Sequence, residues 1–245
     1  MFARFESIIR SLPRRAEYGQ SDLLIPELLI ATDQRMSMYY APFDWANTRA
    51  RVILLGITPG WTQMELAYRG ARAAIDAGMN ASDICREAKL HGAFAGSMRG
   101  NLLRMLDEID LPKALGIETA SELFAGARHL LHTASAIRYP VFVGTRNYTG
   151  NPLPEKSPLL MRFARETLAP ELESVSAALI VPLGKSVEGV LRVLTTEGCL
   201  RPDRWLSGFP HPSGANGHRV RIFMENRSSL RQQVQSMLGS ARAAF

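Results

Sequence analysis

Three observations predict an α/β fold. Arg51-Val-Ile-Leu-Leu-Gly-Ile57 and Ala177-Ala-Leu-Ile-Val-Pro-Leu183 are short apolar runs, ending in Thr58-Pro59-Gly60 and Gly184-Lys185-Ser186 respectively. Between them, apolar residues recur at helical spacing near 62–78, 80–90 and 99–109. Buried strands alternating with helices predict a sandwich around a central, largely parallel sheet, in which ligands bind beyond the carboxyl ends of the strands.

The elements follow in order. Phe2, Phe5, Ile8, Ile9 and Leu12 fall at helical intervals, and Pro13 breaks the helix they imply. This helix begins a helical extension expected over about residues 1–50. The first strand at 51–57 and three helices come next, then an apolar segment from Leu130 to Ile137. Residues 139–158 are rich in Pro, Gly, Asn and hydroxyls and read as a long surface loop, a kind of segment that often carries function. The strand at 177–183 is followed by a further helix. No internal repeat or low-complexity segment interrupts the chain.

The chain has 245 residues, 46% hydrophobic and 21% charged, enough for one large core, and a single domain spanning 1–245 and a monomer are expected. A formal net charge of +6 favours a polyanion such as nucleic acid as partner. Cys85 and Cys199 are the only cysteines, too few for a disulfide framework or a four-cysteine metal site. A reduced, cytoplasmic setting fits this usage, with no cofactor and no metal expected. The N-terminus mixes charges into its apolar residues, unlike a signal peptide, and no run approaches the roughly 20 apolar residues needed to cross a bilayer.

The most informative segment is Ser207-Gly-Phe-Pro-His-Pro-Ser-Gly-Ala-Asn-Gly-His-Arg219, which has no apolar face. Pro210 and Pro212 fix their own φ and restrict the residue before each, so His211 is held stiffly and suits a pre-positioned hydrogen-bond donor. Two other motifs dissolve on inspection. Gly184-Lys185-Ser186 lacks the earlier glycine of a phosphate-binding loop, since Leu179 stands there. His129 and His132 are three apart and compatible with one helix face, but no acidic or sulfur partner lies at a metal-site spacing, which leaves them a structural role.

Gly56-Ile-Thr-Pro-Gly60 paired with His211-Pro-Ser-Gly214 resembles the uracil-DNA glycosylase superfamily, whose members carry a Gly-x-x-Pro turn after the first core strand and His-Pro-Ser near the C-terminus. Lys89-Leu-His-Gly-Ala-Phe-Ala-Gly-Ser97, Thr133-Ala-Ser-Ala-Ile-Arg-Tyr-Pro140 and Ala178-Leu-Ile-Val-Pro-Leu-Gly-Lys-Ser186 are similar to further segments, so that the resemblance covers roughly residues 50–235 in order. It implies a three-layer α/β/α sandwich on a central, largely parallel four-stranded sheet. It also implies cleavage of the N-glycosidic bond of an extruded base, excising uracil or another deaminated base.

In that scheme His211 donates to the leaving base and Thr58 positions water. Ile57, Phe94 and Ser135 hold the base, Phe94 by stacking. Ser213, Gly214, Ala215, Asn216, Arg219, Lys185 and Lys156 contact DNA, with Ala215 or Asn216 filling the gap left by the base and with Arg138 and Arg146 as further phosphate neutralisers. Thr58 stands where strong members carry Asp or Asn, Ser135 where an Asn reads uracil, and Ala215 where a leucine acts as wedge. These departures keep open a protein that binds DNA without turnover or traps the sugar covalently, and a nucleotide-handling enzyme with similar turns.

Overall fold

The computed structural model describes residues 1–92, 97–214 and 216–239. In chain order it contains α1 (Phe2–Ser11), α2 (Gln20–Leu23), β1 (Leu29–Asp33), β2 (Met36–Tyr39), β3 (Val52–Gly56), α3 (Trp61–Asp76), α4 (Ala81–His91) and α5 (Ser97–Glu108). After α6 (Leu111–Leu115) come β4 (Leu131–Ser135), β5 (Val141–Val143), β6 (Arg146–Asn147), α7 (Pro158–Phe163) and α8 (Ala169–Ser174), the last two joined through a π-wound turn. The chain ends with β7 (Leu179–Pro182), α9 (Lys185–Thr196) and α10 (Arg219–Gly239). The fold is mixed α/β. Among the described residues no helix is long and apolar enough to cross a membrane.

The chain divides into two compact units with interleaved segments: residues 1–46, 58–94 and 137–152 form one, and 47–57, 95–136 and 153–245 the other. The first unit is built on an antiparallel sheet of order β1-β2-β5-β6. Two expectations are corrected here. The region 1–50 is not helical throughout, because Leu29–Tyr39 forms a hairpin whose turn places Gln34 at φ 52°. The segment 139–158 is not simply a loop, because β5 and β6 form a second hairpin around Gly144 at φ 62°. Phe2, Phe5 and Ile9 of α1 are buried as their spacing requires, and Phe5 stacks on Tyr40 with ring centres 4.2 Å apart.

The second unit carries the parallel sheet, of order β4-β3-β7. Its middle strand is an apolar run because both its faces are covered: Val52, Ile53, Leu54 and Leu55 have no solvent exposure. Burying each such side chain contributes about 1.5–3 kcal/mol. Val187, Val190, Leu191 and Leu194 of α9 and Phe223, Leu230 and Val234 of α10 are buried as well, and both helices pack on β7.

The expected four-stranded parallel sheet has three strands. What would be the fourth is a single parallel bridge, Ile180 to Trp205, with the Leu206 N–H donating to the Ile180 carbonyl at 2.9 Å. The chain cannot extend this pairing. On one side Pro202–Arg204 is a tight helical turn, held where the buried Arg204 guanidinium donates to the carbonyls of Leu172, Val175 and Ala178. On the other, Gly208 turns at φ 90°, and Pro210 and Pro212 lack the N–H a ladder needs.

Candidate functional site

In the second unit the carboxyl ends of the three parallel strands bring several predicted residues together. The ladder of β3 and β4 ends at the pair Gly56 and Ser135, with the Ala136 N–H donating to the Gly56 carbonyl at 2.8 Å. Beyond it the Ile57 N–H has no hydrogen-bond partner among the described residues, and neither has the Ser135 hydroxyl, which is half-buried. On the other side of β3, β7 ends at Pro182, and after Leu183 the chain turns at Gly184, whose φ of 98° is open to glycine and strained for other residues.

His211 is seated on this turn. A β-carbon added to Gly184 would lie 3.0 Å from the His211 Cβ and 3.4 Å from its backbone nitrogen. The Gly184 N–H donates to the carbonyls of Pro182 and Phe209 at 3.1 and 3.2 Å, tying the loop to the strand end. Further anchors hold the loop elsewhere. The Gly208 N–H donates to Glu188 on α9 at 2.7 Å, Asn226 on α10 donates to the Gly208 carbonyl at 2.9 Å, and Asn101 on α5 donates to the Pro212 carbonyl at 3.0 Å.

The imidazole is half-buried, and its Nδ1 accepts the Ser213 N–H at 3.2 Å. That contact leaves the proton on Nε2, which has no partner among the described residues. Desolvation by burial lowers the His211 pKa from its ordinary 6.5, so the ring is a neutral donor at pH 7. Strands in a sheet lie about 4.8 Å apart, which puts the ends of β4 and β7 roughly 10 Å from one another across β3. Three N–H or O–H donors, at Ile57, Ser135 and His211, thus belong to segments at the carboxyl end of this sheet. Such donors can polarise ring oxygens and stabilise negative charge that develops there.

The other predicted residues are placed as follows. Ser213, Gly214, Asn216 and Arg219 lie on or beside the His211 loop, and Lys185 is exposed at the start of α9. The Asn216 amide donates to the His211 carbonyl at 3.2 Å and its side-chain oxygen accepts the His218 N–H at 3.2 Å, so it braces the loop. Lys156 is exposed on the turn Pro154–Lys156, which packs on α9. Phe94 and Ala215 lie outside the described residues. Thr58, Arg138 and Arg146 belong to the first unit. The Thr58 hydroxyl donates to the Tyr139 carbonyl at 2.9 Å and accepts the Val141 N–H at 3.2 Å, a backbone brace in which its proton is already committed.

His129 and His132 do not share a helix face. His129 is exposed on a tight turn, whereas His132 is buried in β4, its Nδ1 accepting the Asn47 N–H at 3.3 Å and its Nε2 lying 2.9 Å from Glu171. Among the described residues no group of three or more His, Cys, Asp or Glu side chains is placed to hold a metal ion. Sequence reasoning missed Gly184 as the seat of His211 and Asn101 as an anchor of its loop. The strand-end turn was a visible signal for the first; nothing local marked the second.

No family model matches the sequence. The chain is 41% identical over 220 residues to the uncharacterized protein YoxB of Bacillus subtilis (strain 168), covering 89% of this chain and 86% of that relative. The chain belongs to the YoxB family. Alignment over so much of both proteins takes in both compact units, so the YoxB family carries this two-unit chain and not an isolated half of it.

Proposed function

We propose that this protein is a DNA glycosylase of the uracil-DNA glycosylase superfamily, which hydrolyses the N-glycosidic bond of uracil or another deaminated base in DNA and leaves an abasic site. The observation that carries the reading is the neutral His211, locked on the Gly184 turn with Nδ1 occupied and Nε2–H available. In the reaction the C1′–N bond breaks and its electron pair passes to the base, where His211 donates to the ring oxygen that gains charge. A donor of this kind is worth about 3 kcal/mol of transition-state stabilisation. Water then adds to C1′ and loses a proton to solvent. The Ile57 N–H and the Ser135 hydroxyl hold the far edge of the base.

The decisive experiment incubates single- and double-stranded oligonucleotides, each bearing one deaminated base, with wild type and His211→Ala, followed by alkali. Alkali-labile strand breaks that appear with wild type and fall about a hundredfold with His211→Ala are expected, the loss that one such donor accounts for. Equal cleavage by both proteins would remove His211 from the chemistry.

One observation favours a second reading, binding without turnover: the Thr58 hydroxyl is committed to backbone groups and is a poor substitute for a carboxylate base. The same gels separate the two. A salt-sensitive shift without abasic product marks binding alone, and a denaturation-resistant species marks covalent capture.

A further inference from the structure

The charge of the second unit is unevenly compensated. Arg165, Arg192, Arg201, Arg227 and Arg231 each sit within 4 Å of a carboxylate, on Glu197, Glu188, Asp203, Glu108 and Asp110. Around the His211 loop the pattern changes. Residues 97–106 of α5 and the stretch 207–224 contain no Asp or Glu, yet they hold Arg104, His218 and Arg219, while Arg221 is paired at 2.9 Å with Glu225 one turn further along α10.

Arg219 bonds to the loop itself, and Arg104 reaches it through Asn101. Arg219 donates to the Ser213 carbonyl at 2.6 Å and reaches the Pro212 carbonyl at 3.5 Å. Asn101 reaches the same Pro212 carbonyl from α5, and Arg104 donates to the Asn101 side-chain oxygen at 2.7 Å. Arg104 and Arg219 have no carboxylate partner among the described residues. A guanidinium has five N–H donors in a planar fork, so each retains donors for a tetrahedral oxyanion after making these contacts.

We infer that the flank formed by α5 and the first turn of α10 is a docking surface for the phosphodiester backbone of a DNA strand, with Arg104 and Arg219 on successive phosphates. The inference rests on the preceding reading for its choice of DNA as the polyanion. It adds a helix, α5, and a residue, Arg104, to the surface around the site. Because Arg104 also orients Asn101, strand binding at this flank and the setting of the His211 loop share one side chain.

The test measures equilibrium binding, by fluorescence anisotropy over a series of salt concentrations, to a duplex holding an uncleavable abasic analogue, for wild type, Arg104→Gln, Arg219→Gln and Arg165→Gln. Glutamine keeps a donor for the local hydrogen bond and removes the charge, and thermal melts verify that each variant is folded. Every phosphate that the protein ceases to neutralise lowers the slope of log affinity against log salt by about 1, so Arg104→Gln and Arg219→Gln are each expected to show that decrease while Arg165→Gln keeps the wild-type slope. Equal slopes for all four proteins, or an equal decrease in Arg165→Gln, overturn the surface. Absence of any DNA binding by wild type overturns both this surface and the glycosylase reading. A slope that depends on Arg104 without base excision leaves the surface standing and removes only the activity.

Discussion

Gly184 lies directly beneath His211, so close that the smallest side chain on the one would press on the β-carbon of the other at 3.0 Å. The first prediction follows from that proximity. Gly184→Ala adds a methyl group there and forces a non-glycine residue to φ 98°, which costs about 1–3 kcal/mol of stability in backbone strain alone. The variant is expected to fold with a lowered melting temperature and to lose excision more steeply than DNA affinity, because it displaces the donor and leaves the cationic flank in place. Unchanged excision by a folded Gly184→Ala would show that the seat of His211 does not matter.

The pH dependence has a definite sign. Burial lowers the His211 pKa below its ordinary 6.5, so as pH falls below 6.5 the unfolded chain takes up the proton before the folded one does. The His211 contribution to stability is therefore complete above 6.5 and declines as pH falls from 6.5 toward the lowered folded value. The neutral donor persists over the same range. Initial rates of base excision are expected to hold level through neutral pH, with an acid limb whose midpoint lies below 6.5. A midpoint above 6.5, or a rate that rises on acidification, would mean that the charged imidazole is the active form.

Much of this arrangement was legible in the sequence, and the exceptions have physical causes. The strands at 52–56 and 179–182 announce themselves because strands covered on both faces must be apolar throughout. His211 stands out because two prolines flank it. The hairpin at 29–39 does not, since its turn is Asp33-Gln34-Arg35, without the Asn-Gly or Asp-Gly that signals a tight hairpin. β5 is three residues long, too short for alternation to register, and its neighbouring Pro, Gly and Asn outweigh it. Asn101 and Glu188 act on the loop across 111 and 20 residues of chain, and no local pattern encodes such long-range bonds.

Thr58 provides a clean separation of roles. Its hydroxyl braces Tyr139 and Val141, so Thr58→Val leaves a carbonyl and an N–H without their partner, at a cost of about 1–3 kcal/mol for each group that stays dry. Thr58→Ser keeps both bonds. Denaturant titration is expected to show Thr58→Val destabilised and Thr58→Ser near wild type, with excision by each following the folded fraction. A Thr58→Val protein of wild-type stability that no longer excises would return the hydroxyl to the role of water carrier.

Ser135 offers the sharpest test of base preference. A hydroxyl rotates, donating to a ring carbonyl or accepting from an exocyclic amine, whereas an asparagine amide presents a fixed carbonyl and a fixed NH2. The Ser135 hydroxyl has no partner among the described residues that would hold it in one orientation. It therefore reads the edge of a base weakly, and uracil and hypoxanthine are expected to be excised at comparable rates. Ser135→Asn should favour uracil, because a fixed pair of hydrogen bonds discriminates between bases by about 1–3 kcal/mol, which amounts to roughly five- to a hundredfold in relative rate. Ser135→Ala, which removes the hydroxyl without supplying a fork, should slow both substrates alike. If the ratio of uracil to hypoxanthine excision is the same in all three proteins, the carboxyl end of β4 does not face the base, and discrimination must come from another segment.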